Sequence, residues 1–175
     1  RFAESELEEL TQSIREQGIL QPLLVRKDGE GFELVTGERR LRAAKKAGLQ
    51  QVPVVVRTVT DSQMLEMAIV ENIQRENLNP MEEADAYHRL MTEFHLTQEA
   101  VAGRVGKSRP AVANFLRLRS LPDQIKESIS EGAISMGHAR AILGAETPAR
   151  QLAAWRTVLS RGLSVREAES LIQRL

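Results

Sequence analysis

Every strand-like run in this chain falls before residue 57, and everything after Asn79 is punctuated as helices. That division constrains the fold more than any other feature. Residues 20–25, 32–35 and 52–56 are rich in Val and Leu, and Gly29 with Gly31 marks a turn that makes the first two a hairpin. Helical signals lie between them. Ser5 with Glu8 reads as a capping box opening the apolar spacing Leu7, Leu10, Ile14, which Gly18 closes. Residues 39–47 are helical up to Gly48, and Asp61 can cap a helix running to about Ile73. Strands alternating with helices predict a small mixed α/β layer.

The later residues contain only helix starts and stops. Asn79 is followed by Pro80 at the first helical position and by Glu82, a box-like pattern that opens a helix to about Phe94. Thr97 and Ser108 cap two short helices separated by Gly106. Pro122, Ser135 and Ser164 open later helices, Ser164 with Glu167 forming another capping box, and Gly132 and Gly144 suit helix ends. No fixed-period repeat and no low-complexity stretch is present. The chain therefore reads as α+β: a mixed α/β domain over 1–78, then an all-helical domain over 79–175.

Composition excludes several function classes. No apolar run approaches the roughly 18 residues of a membrane span. Cysteine is absent, which removes disulfides, thiolate chemistry and Cys-based zinc sites. Aromatic residues are 3% of the chain, too few for a base-stacking single-strand binder. The formal net charge is zero, yet residues 96–175 hold 12 Lys and Arg against 7 Asp and Glu. A basic C-terminal half suits contact with nucleic acid phosphates, although a chance imbalance of solvated charges gives the same count.

Residues 97–118 have the landmarks of a helix-turn-helix. Ala102 is small enough for close helix crossing, Gly106 supplies the turn, and Val101, Val105, Val112 and Leu116 form a shared apolar seam. The second helix, capped by Ser108, presents Arg109 and Ala111 in its first turn and Asn114 and Arg117 beyond. In such motifs the second helix enters the major groove, where Arg reads guanine and Asn reads adenine. Lys107 and the helix N-terminus suit phosphate.

Two further polar clusters stand out. Gly37-Glu38-Arg39-Arg40 follows a predicted strand and opens a predicted helix, placing free N–H groups and two forked guanidinium donors where phosphate would bind. A charged surface turn explains the same residues equally well. Glu71-Asn72-Ile73-Gln74-Arg75 lies at the junction of the two segments. Glu71 and Asn72 are oxygen ligands of the type magnesium takes beside substrate phosphates, and Arg75 is a phosphate donor. A capped helix end accounts for that stretch too. A ligand bridging the segments would couple a nucleotide state to the DNA-binding half.

Together these residues resemble the ParB family of bacterial chromosome and plasmid partitioning proteins. The matching pieces run in family order: residues 18–26 (GILQPLLVR), 37–44 (GERRLRAA), 71–75 (ENIQR), the helix-turn-helix with Gly106-Lys107-Ser108-Arg109, and Gly137-His138-Ala139-Arg140. They cover nearly the whole chain and look chromosomal. The resemblance implies a ParB/sulfiredoxin-like N-terminal nucleotide-binding domain followed by a helix-turn-helix domain. It implies binding to centromere-like parS double-stranded DNA, and binding and slow, parS-stimulated hydrolysis of CTP with magnesium. It also implies a homodimer whose N-terminal domains engage to close a clamp that slides on DNA, a ParA-type ATPase as partner, and a cytoplasmic, nucleoid-associated protein with no membrane partner.

Roles carry over by residue. Gly18 and Gln21 resemble the cytosine-reading stretch, with Gln21 as polar contact. Gly37, Glu38, Arg39 and Arg40 resemble the triphosphate motif, with Glu38 the first candidate for positioning hydrolytic water and Glu71 the second. Glu71 and Asn72 resemble the magnesium ligands, and Asn72 and Arg75 the second phosphate motif. Lys107, Ser108, Arg109, Ala111, Asn114, Arg117 and Arg140 resemble DNA contacts. Arg109, Phe115, Ser120 and Gly137 sit where site choice is set. The family's ParA-contacting segment and C-terminal dimerisation domain are expected outside residues 1–175. The competing readings are a helix-turn-helix transcription regulator without nucleotide turnover and a small ATP-using enzyme of the sulfiredoxin or free-serine kinase type. The lack of cysteine rules out sulfiredoxin chemistry, and a kinase has no need of the helix-turn-helix half.

Overall fold

A computed structural model describes residues 4–75 and 77–174. The chain forms two compact units, residues 1–64 and 65–175.

The first unit contains α1 (Glu4–Gln17), β1 (Leu23–Asp28), β2 (Gly31–Thr36), α2 (Glu38–Lys46) and β3 (Val54–Val56). The sheet order is β2-β1-β3. β1 and β2 form the expected antiparallel hairpin, with Asp28 opposite Gly31 and a register shift between Leu24 and Val25. β3 runs parallel to β1, with Leu23 opposite Val54 and Val25 opposite Val56. A parallel pair needs a crossover, and α2 supplies it. Leu23, Val25, Ile14, Ala43 and Ala44 are buried and form the core of this unit. The two alanines let α2 pack closely.

Three local expectations are corrected. The first strand, expected over 20–25, runs from Leu23 to Asp28, because Arg26 is held across the hairpin by Glu33 at 2.7 Å and carries the ladder onward. Leu20 lies outside it and is 80% exposed. Ser5 sits inside α1, and Glu8 pairs with Lys46 of α2 instead of closing a capping box. Thr60, rather than Asp61, caps the next helix: its Oγ1 accepts from the Gln63 N–H at 3.1 Å and the Gln63 side chain accepts from the Thr60 N–H at 3.0 Å. Asp61 is thereby free to pair with Arg26 at 2.7 Å.

That helix, α3 (Asp61–Ile73), begins in the first unit, and most of it belongs to the second. The second unit continues with α4 (Pro80–Glu93), α5 (Gln98–Val105), α6 (Arg109–Leu118), α7 (Asp123–Ser130), α8 (Met136–Ile142), α9 (Pro148–Arg161) and α10 (Val165–Ile172). The expected caps form at Asn79, Thr97, Ser108, Ser135 and Ser164, with full capping boxes at Asn79–Glu82 and Ser164–Glu167. Thr147 caps α9 before Pro148, a start that the sequence reading did not pick out.

Two apolar clusters build this unit. One gathers Ile69, Tyr87, Leu90, Val101, Ala102, Val105 and Val112 around the helix-turn-helix. The other gathers Leu118, Leu121, Ile125, Ile129, Ile142 and Val158 beneath α7 to α10. Phe115 packs against both and ties α6 into each. His138 adds a polar tie: its Nδ1 accepts from the Ser135 N–H at 3.2 Å, and its Nε2 donates to the Leu163 carbonyl at 2.9 Å.

Candidate nucleic-acid interface and phosphate-binding turn

The helix-turn-helix forms where the sequence places it. Gly106 ends α5 with φ 70° and ψ 31°, a left-handed conformation that costs a residue with a Cβ about 1–2 kcal/mol. Val101 and Val112 are fully buried and Ala102 nearly so, giving the tight crossing of α5 and α6. The Ser108 Oγ accepts from the Ala111 N–H at 3.3 Å, so the cap uses the oxygen and leaves the hydroxyl proton for another acceptor. Arg109 and Arg117 on α6, and Arg140 on α8, are exposed and make no hydrogen bond or ion pair among the described residues. Asn114 is half-buried.

Lys107 is placed differently from those arginines. Its Nζ lies 2.6 Å from Glu83 Oε1 and 4.9 Å from the centroid of the Phe115 ring. The same Glu83 oxygen accepts from the Tyr87 hydroxyl. Tyr87 is fully buried and meets Phe115 edge-to-face at 5.6 Å and 86°. Burial, reinforced by Glu83, pushes the Tyr87 phenol well above its ordinary range, so it remains a donor. Sequence reasoning missed Glu83 and Tyr87. Their only sequence signal is the i, i+4 spacing on α4, which puts both on one helix face.

The residues expected to tune DNA choice occupy distinct settings. Phe115 is packed inward, so its ring shapes α6 from behind. Ser120 follows α6 and donates to the Arg117 carbonyl at 2.8 Å. Gly137 faces α10: a Cβ there would lie 2.9 Å from Val165 Cγ2, so a larger residue forces Val165 to move.

In the first unit, the glycine-arginine tetrad and the 18–26 stretch come together. Gly37 precedes α2 with φ 111°, and a Cβ there would meet Leu23 Cδ2 at 2.7 Å. Arg40 Nη1 donates to the carbonyls of Gln21 and Pro22, each at 2.7 Å. One guanidinium thus fastens the start of α2 to the turn after Gly18, itself left-handed at φ 71°. Arg39 pairs with Glu6 at 3.1 Å, and Glu38 with Arg42 at 2.7 Å.

Glu71, Asn72 and Arg75 lie in the second compact unit, the first two in the last turn of α3 and Arg75 just beyond it. Glu71 and Asn72 are exposed. Among the described residues, no cluster of three or more His, Cys, Asp or Glu is arranged to hold a metal. One exposed carboxylate beside one exposed amide fits magnesium, which takes few protein ligands and shares the rest with phosphates and water.

The family model for the ParB N-terminal domain matches residues 1–73, and that for the ParB HTH domain matches residues 76–175. The chain belongs to the ParB family. It is 57% identical over 175 residues to the chromosome-partitioning protein Spo0J of Thermus thermophilus, covering 100% of this chain and 64% of that protein. It is 54% identical over 173 residues to the chromosome-partitioning protein ParB of Myxococcus xanthus, covering 98% of this chain and 58% of the relative. The chain thus spans about three fifths of the length of these curated relatives. Its fold is similar to that of C-terminally truncated ParB from Caulobacter crescentus complexed to the centromeric parS site, with TM-score 0.85, 44% identity and coverage of 100% of this chain and 90% of that one. These matches bear out the α+β reading and the ParB resemblance. The compact units divide at Met64/Leu65, and the two family models meet between residues 73 and 76. Among the described residues, no helix of this ParB chain is long and apolar enough to cross a membrane.

Proposed function

We propose that this ParB chain binds centromere-like parS DNA through α6 and couples that binding to CTP in chromosome segregation. The observation that carries the reading is the exposed Arg109 and Arg117, unpaired among the described residues, on a capped helix of a ParB HTH domain. An arginine without an internal partner has its full hydrogen-bonding fork free for a base edge or phosphate. Ser108, Ala111 and Asn114 share the helix, Arg140 adds a contact from α8, and Lys107 adds charge at the turn. Phe115, Ser120 and Gly137 adjust site choice by positioning α6 and α8.

Residues 1–78 are assigned to the nucleotide and 79–175 to DNA. Gly18 and Gln21 read the base. Gly37, Glu38, Arg39 and Arg40 hold the phosphates, with Asn72 and Arg75 as a second phosphate-binding group. Glu38 positions the hydrolytic water, with Glu71 the other candidate. Magnesium, held by Glu71 and Asn72, would offset phosphate charge. CTP binding closes a homodimeric clamp on DNA, and slow hydrolysis or nucleotide release reopens it. A ParA-type ATPase is the motor partner, and the protein works in the cytoplasm on the nucleoid.

The deciding experiment compares hydrolysis and equilibrium binding of CTP, ATP, GTP and UTP with parS, scrambled or no DNA. The expected result is CTP binding, with turnover stimulated by parS alone. Absence of both CTP binding and CTP turnover, with palindrome binding intact, would leave a DNA-binding regulator whose arginine tetrad is only a charged turn.

Arg109→Ala is expected to weaken parS binding by about 1–3 kcal/mol, roughly five- to 150-fold, with little change on random DNA. Equal losses on both DNAs in a fluorescence anisotropy titration would make Arg109 a phosphate contact instead.

A further inference from the structure

Lys107 differs from Arg109, Arg117 and Arg140 in already having an anion, Glu83. Glu83 is 12% exposed at its side chain and Lys107 39%, so the pair is shielded on the carboxylate side and reachable on the ammonium side. Glu83 is also fixed from beneath by the buried Tyr87 hydroxyl, and the Phe115 ring limits where the lysine stem can go. A carboxylate so placed does two things. It holds the ammonium at the turn between α5 and α6, and it offers that ammonium an alternative to phosphate. An exposed pair in water contributes little and exchanges readily, whereas a pair with one partner buried and doubly bonded is harder to break.

We infer that Glu83 is a specificity-determining positioning residue: it keeps Lys107 from adding to non-specific phosphate binding. On random DNA, where the recognition helix is not seated, Lys107 stays on Glu83 and releases no counterion. On a seated site, the other contacts of α6 bring phosphate close enough to share the ammonium. The restraint lowers background affinity more than specific affinity, which raises the ratio between them. This inference rests on the proposed DNA-binding role of α6.

The test measures Kd against salt concentration for parS and for random duplex, using the wild type, Glu83→Gln, Tyr87→Phe and the double variant Glu83→Gln with Lys107→Gln. Glutamine keeps an acceptor for the Tyr87 hydroxyl and removes only the charge. Glu83→Gln is expected to tighten random-DNA binding about three- to tenfold near physiological salt. It should also steepen the log–log salt slope on random DNA by about one, as one more phosphate contact does. Binding to parS should tighten less, so the specificity ratio falls, and the double variant should return the random-DNA slope to the wild-type value. Tyr87→Phe removes the hydroxyl while leaving Glu83 charged, and should leave that slope unchanged. An unaltered random-DNA slope in Glu83→Gln, an unaltered specificity ratio, or the same slope change in Tyr87→Phe would each overturn the inference. Failure of the wild type to discriminate parS from random DNA would instead overturn the DNA-binding reading itself.

Discussion

Arg40→Ala is expected to weaken CTP binding by one to two powers of ten while leaving parS affinity within about twofold. Two losses combine. A phosphate-facing guanidinium contributes about 1.5–3 kcal/mol through charge-assisted hydrogen bonds. The same guanidinium also holds the Gln21 and Pro22 carbonyls at 2.7 Å, so its removal loosens the turn proposed to read the base. DNA binding is retained because α6 belongs to the other compact unit. Equilibrium dialysis with labelled CTP, paired with a parS titration, checks both halves. Arg40→Lys separates the two losses, since a single ammonium can replace the one nitrogen that bonds both carbonyls but leaves no second nitrogen to face phosphate. Wild-type CTP affinity in Arg40→Ala would remove Arg40 from the phosphate site.

Leu118→Ala is expected to cost about 2–5 kcal/mol of stability in the helical unit, a large share of a typical total of roughly 5–15 kcal/mol. Leu118 is fully buried at the end of α6, among Leu121, Ile125 and Ile142. Its removal leaves a cavity behind the recognition helix, so DNA binding should fall with stability. Trp155 is the single tryptophan and lies in this unit, so its fluorescence during urea unfolding follows this transition. Leu20→Ala provides the contrast: at 80% exposure, its loss should change stability by no more than about 0.5 kcal/mol. A Leu118→Ala midpoint matching the wild type would show that this cluster does not hold α6 in place.

Most helix starts were legible where a capping side chain meets an N–H three residues on, although Thr60 and Thr147 make the same local bond and were not read. Asn79, Thr97, Ser108 and Ser164 all cap as expected, because the bond closes within one turn and needs no other part of the chain. Ser5 and Asp61 failed because Glu8 and Asp61 found distant cations, Lys46 and Arg26, that a three-residue pattern does not contain. The first strand was displaced for a similar reason: Arg26 reads as polar punctuation until Glu33 stands opposite it.

The candidate sites divide along the same line. The sequence by itself determined the family, the strand-then-helix order, the turn at Gly106 and the capped helix bearing Arg109 and Arg117. These depend on residue types at fixed short spacings, where backbone geometry leaves few choices. Tertiary structure alone decided that β3 runs parallel to β1, that Arg40 closes onto Gln21 and Pro22, and that Lys107 rests on Glu83 beneath Tyr87. The last two contacts join residues about 20 apart in the chain. A charged side chain has many partners within reach of a flexible chain, and only the packing of helices and strands around a shared core selects one of them.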